Sequence, residues 1–128
     1  MKIIEKTITS KRNTEIPVTI VESEKTEKLL LCIHGFKANR TEDGRFLTVA
    51  KALSEKGVTS IMPGFPGCDV SKEDFINYSI RNCISDIDTC YDYMKENYQF
   101  DENFYSLINI FFSFHMYSFT FSLYISEN

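Results

Sequence analysis

The chain of 128 residues offers few side chains whose types and spacing suit chemistry. His34-Gly35-Phe36 closes a short apolar run, Leu29-Leu-Leu-Cys-Ile33. Backbone N–H groups gathered at the end of a buried strand can stabilise an oxyanion, and a glycine lets the chain turn sharply there. Equally, His34 and Gly35 can simply end the strand. A second Gly/Pro loop, Gly64-Phe65-Pro66-Gly67, follows another apolar stretch. Ser113 and His115 stand two apart, so on a strand they share a face. No carboxylate accompanies them to orient an imidazole, and Phe112 and Phe114 crowd a position where a nucleophilic serine needs close backbone approach. Neither is assigned a catalytic role.

The remaining candidates read as structure. Asp86, Asp88 and Asp92 are expected on the polar, solvated side of a helix, without the His or Cys companions of a metal site. The four cysteines, Cys32, Cys68, Cys83 and Cys90, form no Cys-x-x-Cys pair, so neither a zinc site nor a disulfide framework is indicated. Cys83 and Cys90, seven apart on a helix, lie about 10 Å apart along its axis, too far for a disulfide, and serve as apolar filler. Cys68 is the one thiol expected to see solvent, and no base stands beside it in sequence.

These groups need elements to hold them. Residues 2–9 and 16–22 are rich in β-branched types and flank the polar stretch Ser10–Glu15, which predicts a hairpin near a sheet edge, because Pro17 cannot donate to a ladder. Leu29–Ile33, apolar throughout, predicts a strand buried on both faces. Phe46, Val49, Ala50 and Leu53 predict a helix over 45–56, stopped by Gly57. Val58–Met62 is the next strand, so a βαβ unit and a partly parallel sheet are expected. Ser71-x-x-Asp74 can cap a helical segment, and Ser79 can cap the main helix. That helix runs to about Tyr98, with Ile80, Cys83, Ile84, Ile87, Cys90, Tyr91, Met94 and Tyr98 as its apolar set. Phe104–Ile108 reads as a third buried strand. No internal repeat is visible.

A buried strand ending in His34-Gly35-Phe36, an amphipathic helix, and a strand into Ile61-Met-Pro-Gly-Phe-Pro-Gly-Cys-Asp-Val-Ser71 together resemble the N-terminal part of an α/β-hydrolase. The second loop is similar to that family's D-x-x-G-x-G-x-S, with Pro63-Gly64 where the family often carries Asp before its Gly. The nearest branch is that of serine esterases and serine aminopeptidase-like enzymes, including cinnamoyl-type esterases. The resemblance covers residues 1–108. It implies a partial α/β-hydrolase fold: an α/β architecture with a mostly parallel sheet after an N-terminal antiparallel hairpin, and helices on both faces. It implies that the backbone N–H of Phe36, supported by His34 and Gly35, is an oxyanion-hole donor. It also implies hydrolysis of a carboxylic ester, or a related acyl bond, in a small-molecule substrate, with no metal or organic cofactor.

The catalytic serine of that family sits in Gly-x-Ser-x-Gly directly after the third strand. Here the chain reads Asn109-Ile-Phe-Phe-Ser-Phe-His-Met116, and no glycine follows Gly67. No nucleophile, acid or catalytic histidine is identifiable, so whether this chain is itself an enzyme stays open and inactivity is expected. Residues 109–128 form an atypical, aromatic-rich tail. Three readings compete: a frameshift or premature end in a longer hydrolase, a transmembrane segment, or a divergent β segment capping the sheet. The Phe/Ser/Tyr/Ile/Asn bias favours the first, then the third, since polar residues interrupt the stretch too often for a spanning helix.

Composition bounds the rest. The net charge of −4 argues against non-specific nucleic-acid binding and gives no polybasic membrane signal. The charged N-terminal residues do not read as a signal peptide, so a cytoplasmic address is expected. An uncovered sheet edge and the uncharged tail predict self-association, and improved solubility without 109–128. The different-class alternative is a non-catalytic module that binds a partner through a half hydrolase sheet.

Overall fold

The computed structural model describes residues 1–100 and, beyond them, the backbone of two strands, 108–114 and 117–123. Strand β1 (Lys2–Thr9) turns back into β2 (Glu15–Glu22), and β3 (Lys28–Ile33), α1 (Arg45–Ser54) and β4 (Val58–Pro63) follow. A 3₁₀ turn at Phe75–Asn77 precedes α2 (Ile80–Asn97), and β5 (Ile108–Phe114) and β6 (Tyr117–Leu123) complete the described elements. The strands form one sheet in the order β1-β2-β4-β3-β5-β6.

The expected βαβ unit is present: β3 and β4 pair in parallel, with Leu29 opposite Thr59 and Leu31 opposite Ile61, and α1 connects them. The sheet is not mostly parallel. Only β3–β4 and β3–β5 are parallel, while β1–β2, β2–β4 and β5–β6 are antiparallel. The reason is that β2 pairs with β4, so the N-terminal hairpin extends the sheet instead of standing apart. β1 takes the edge and Pro17-bearing β2 lies inside it, with β4 pairing beginning at Val18.

Alternation along β3 sends side chains to two cores, as expected for a strand covered on both faces. Leu29, Leu31 and Ile33 pack with Ile20, Ile61, Phe65, Cys90 and Met94 on the α2 side. Leu30 and Cys32 pack with Val21, Met62, Phe46 and Ala50 on the α1 side. Each such large apolar side chain contributes roughly 2 kcal/mol relative to exposure. The helices therefore cover opposite faces, as the family resemblance implies. Gly57 stops α1 with a left-handed φ of +77°, and its N–H donates to Ser54 O at 3.2 Å. Ser79 Oγ caps α2 by accepting Asn82 N–H at 3.1 Å.

One expectation shifts. The buried stripe of α2 runs through Cys83, Asp86, Ile87, Cys90 and Met94, while Ile80 and Ile84 are 76% and 59% exposed. Of the strand expected at 104–108, residues 104–107 lie outside the described residues, and Ile108 is in β5. Leu31 and Ile33 pair with Ile108 and Ile110, so the sheet continues into the tail, and β6 flanks β5 on its far side. Among the described residues no helix is long and apolar enough to cross a membrane.

Candidate functional site

His34 leaves β3 at its C-terminal end, in the middle of the sheet, and is fully buried. Phe65, in the loop after β4, donates its backbone N–H to His34 Nε2 at 3.1 Å. A ring nitrogen that accepts carries no proton, so the proton of the neutral imidazole is on Nδ1, which donates to Gly35 O at 2.8 Å. Burial lowers the pKa of His34, while the Gly35 carbonyl, Glu42 and Asp69 pull the other way. The ring also packs against Phe65, centroids 4.9 Å apart. His34 thus joins the two loops that the sequence singles out, and both lie on one rim.

The turn after β3 is held from several sides. Gly35 N–H donates to Glu42 Oε1 at 2.7 Å, and Arg45 donates to the other oxygen of that carboxylate at 2.9 Å. Ala38 N–H closes the turn on Gly35 O at 3.1 Å, with Lys37 left-handed at φ +55°. A positive φ at the third turn residue is the type II arrangement, which favours glycine. Glu42, Asp43 and Asp69 are also left-handed, so among the described residues four of the five non-glycine positive-φ residues belong to these two loops. Backbone strain of this kind collects at functional sites.

Phe36 follows Gly35 in that turn. Its side chain is 42% exposed and meets Phe75 and Tyr78 edge-on, at 5.7 and 5.3 Å. Lys37 Nζ lies 5.1 Å from the Phe75 ring centroid. The Phe75 segment comes this close because Gly67, with φ +69°, has no side chain: a Cβ there would sit 2.3 Å from Phe75 Cα.

Two arginines brace the rim. Arg40 pairs with Asp69 of the second loop, donates to Glu5 at 3.1 Å and reaches buried Thr19 at 2.9 Å. Arg12, in the β1–β2 turn, forks onto Glu73 at 2.6 and 2.9 Å and onto Asp86 at 2.9 and 3.1 Å. Asp86 is therefore not on a solvated face: it is 1% exposed. Burial raises its carboxyl pKa, while the hydrogen bonds and charge of the Arg12 guanidinium pull it back down. Asp88 and Asp92 are exposed, as expected, and both pair with Lys11.

Cys68 is also buried, against expectation, because the second loop folds inward behind Phe65. Burial raises its thiol pKa, and pushes Cys83 up to about 12, so neither is a thiolate at neutral pH. All four cysteines are free. Ser113 lies within β5, in register with Ser118, and not in a strand-to-helix turn. His115 lies outside the described residues. Among the described residues no His, Cys, Asp and Glu cluster could hold a metal ion.

A concavity of about 580 Å³ lies at the other end of β3 and β4, lined by Ser23, Glu24, Lys25, Glu55 and Lys56 among others. Its serines are already engaged: Ser23 Oγ donates to Ser54 O at 2.7 Å. Size does not make it the site, because open α/β sheets bind ligands at the C-terminal ends of their parallel strands. Glu42, Arg40 and Arg12 hold the rim. The partners of Arg40 and Arg12 are distant in sequence, and those of Glu42, Gly35 and Arg45, are near but form no motif, so no local pattern marks these three residues.

No family model and no curated protein sequence matches the chain. Solved structures do. The α/β-hydrolase GrgF from Penicillium sp. sh18 superposes with a TM-score of 0.70 at 17% identity, over 80% of this chain and 35% of its own. Est1E from Butyrivibrio proteoclasticus, solved with ferulic acid bound, gives 0.68 at 19% identity, over 80% and 41%. The esterase Pf2001 from Pyrococcus furiosus gives 0.64 at 18% identity, over 76% and 35%. The chain spans between a third and two fifths of the length of these proteins. With the rim joined through His34 and helices on both faces of a mixed sheet, the chain carries a partial α/β-hydrolase fold.

Proposed function

We propose that this chain is the N-terminal part of a serine hydrolase whose parent activity is hydrolysis of a carboxylic ester or related acyl bond in a small molecule. The observation that carries the reading is the joint between the two loops: buried His34 at the end of central β3, bonded to the Phe65 amide of the loop after β4. In this reading the Phe36 N–H is the oxyanion donor. Glu42 takes the Gly35 N–H and sets the orientation of the turn from which Phe36 projects. A preorganised donor of this sort is worth about 3 kcal/mol of transition-state stabilisation. Rigid bracing by Arg40 and Glu42 is what such a donor requires.

The same reading makes the chain inactive by itself. A strained nucleophile turn needs small residues, and no glycine follows Gly67. A fluorophosphonate probe should leave the chain unlabelled, and 4-nitrophenyl acetate should be hydrolysed no faster than in buffer. Labelling at Ser113, abolished by Ser113→Ala, overturns the inactivity. The parent activity is tested in the coding DNA past Ile108. A Gly-x-Ser-x-Gly in another frame supports the serine-hydrolase reading, and its absence from both other frames counts against it.

One observation favours a second reading, a partner-binding or self-associating module. Phe75, Ile76, Ile80 and Ile84 are all exposed, Ile76 by 87%, on consecutive segments beside the rim. Apolar surface of this kind marks an interaction face. Sedimentation of the full chain separates the two: a concentration-dependent oligomer dispersed by Ile76→Lys and Ile80→Lys supports association through this face, and an unchanged distribution removes it.

A further inference from the structure

We propose that His34 is an acid-released latch, which in its neutral form ties the loop after β4 to the loop after β3 and on protonation lets the two part. Such a latch follows from hydrogen-bond geometry and is independent of the catalytic reading. Nε2 accepts the Phe65 N–H at 3.1 Å, and Nδ1 faces Gly35 O at 2.8 Å. An imidazolium has donors on both nitrogens and no acceptor. Protonation at Nε2 therefore sets N–H against N–H at the joint, in a fully buried place. Phe65 cannot satisfy its amide without moving, and the loop it begins carries Gly67, Cys68 and Asp69 with it.

The surroundings decide whether a charge there can be absorbed. From the loop after β3, the Glu42 carboxylate lies close, but it is already committed to Gly35 N–H and to Arg45. Lys37 on the same loop adds a positive charge. From the second loop, Asp69 is committed to Arg40. The Cys68 thiol and the Tyr78 phenol, which stands edge-on to Phe65 at 6.3 Å, are both neutral, their pKa values raised by burial. Among the described residues no carboxylate is hydrogen-bonded to the ring. Burial accordingly prevails and holds the His34 pKa below the usual 6.5.

What is released is local. Phe65 begins a loop that is also tied by Gly64 N–H to Pro17 O at 2.8 Å, by the Arg40–Asp69 and Arg12–Glu73 pairs and by the contact of Gly67 with Phe75, and these ties limit how far it moves. The strands on either side are held by their own ladders, with Ile20 opposite Ile61 and Leu31 opposite Ile61. The expected acid state thus keeps the sheet and loses the joint.

The experiment uses the full chain with His115→Gln, which leaves His34 as the single imidazole. Long-range ¹H–¹⁵N spectra follow the ring through a pH titration, and hydrogen exchange follows the amides of Phe65 and Ile20. The proposal expects an Nδ1–H tautomer at neutral pH. It also expects the Phe65 protection factor to fall about tenfold per pH unit from 6.5 down to the folded-state pKa, while Ile20 stays protected. His34→Gln keeps an acceptor for Phe65 N–H but cannot titrate, so its Phe65 protection should be flat over the same range. Three results overturn the proposal: Phe65 protection unchanged while His34 titrates, Phe65 and Ile20 losing protection together, or the same acid step in His34→Gln. Should His34→Gln fail to fold, the comparison of Phe65 with Ile20 in the parent decides alone.

Discussion

The two ends of the parallel pair β3–β4 use similar residues to opposite effect. At the C-terminal rim, Arg12 is 17% exposed and its partners Glu73 and Asp86 only 10% and 1%. At the other end, Lys25 and Glu27 pair at 3.5 Å with most of both side chains in water, and the N-terminal ammonium reaches Glu24 at 3.6 Å. Each end also has a left-handed glycine: Gly67 is pressed against the Phe75 backbone, whereas Gly57 faces only the Glu27 side chain. A concavity lies at the water-exposed end, and the strained, cross-braced backbone is at the rim. The two ends thus differ in how firmly the backbone is fixed.

Removing one charge at each end is the sharpest way to break that contrast. Arg12→Ala leaves two carboxylates buried without their cation and should cost about 3–5 kcal/mol in urea unfolding. Lys25→Ala should leave the midpoint unchanged, since exposed pairs contribute little. Equal effects from the two variants would show that the rim network is not energetically distinct.

The glycines give the next largest difference. Alanine at either position bears a left-handed penalty of about 1–2 kcal/mol. At Gly67 it adds a clash, since its Cβ would lie 2.5 Å from Phe75 N, which is backbone and cannot swing away. At Gly57 the nearest atom is Glu27 Cγ at 3.2 Å, on a flexible side chain. Gly67→Ala should therefore lose about 3 kcal/mol or more and Gly57→Ala about 1–2 kcal/mol. A Gly67→Ala variant no worse than Gly57→Ala would mean that the Phe75 segment yields readily.

The smallest effect is the pH dependence. The pKa of His34 is lower folded than unfolded, so its contribution to stability is fully present above about 6.5 and shrinks as pH falls toward the folded value. The loss is at most about 1.4 kcal/mol per pH unit. Urea midpoints of the parent and His34→Gln measured between pH 7.5 and 5 should diverge below 6.5, with the parent the more acid-sensitive. Parallel curves would remove His34 as the source.

Local sequence signals mark several of the elements. The unbroken apolar run at Leu29–Ile33 identifies a strand with two covered faces, Ser79 marks the start of α2, and Gly57 marks the end of α1. What sequence could not supply is pairing at a distance. Asp86 falls on the buried stripe of α2 because Arg12, 74 residues away, meets it there. Without that partner a helical aspartate reads as solvated. Cys68 is hidden by the inward fold of its own loop, which depends on Gly67 accepting Phe75. Ile80 and Ile84 fit a helical period, yet α2 turns Asp86 and Cys90 inward instead, and periodicity alone does not tell which of two overlapping stripes meets the sheet. The oxyanion reading of Phe36 came from resemblance. The carboxylate that orients its turn, Glu42, came only from the structure.

The strand order has a kinetic consequence. β2 and β3 are neighbours in the chain, joined by five residues, 23–27, but β4 lies between them in the sheet. Since β2 is antiparallel to β4 and β4 parallel to β3, β2 and β3 run in opposite directions, as the two arms of a hairpin do. A short loop closes faster than the crossover through α1 that delivers β4. Refolding should therefore pass through a trapped species in which β2 and β3 pair directly and must separate before β4 can insert. Opening the chain within 23–27 and joining it elsewhere should abolish that slow phase, and a slow phase that persists would place the barrier in another step.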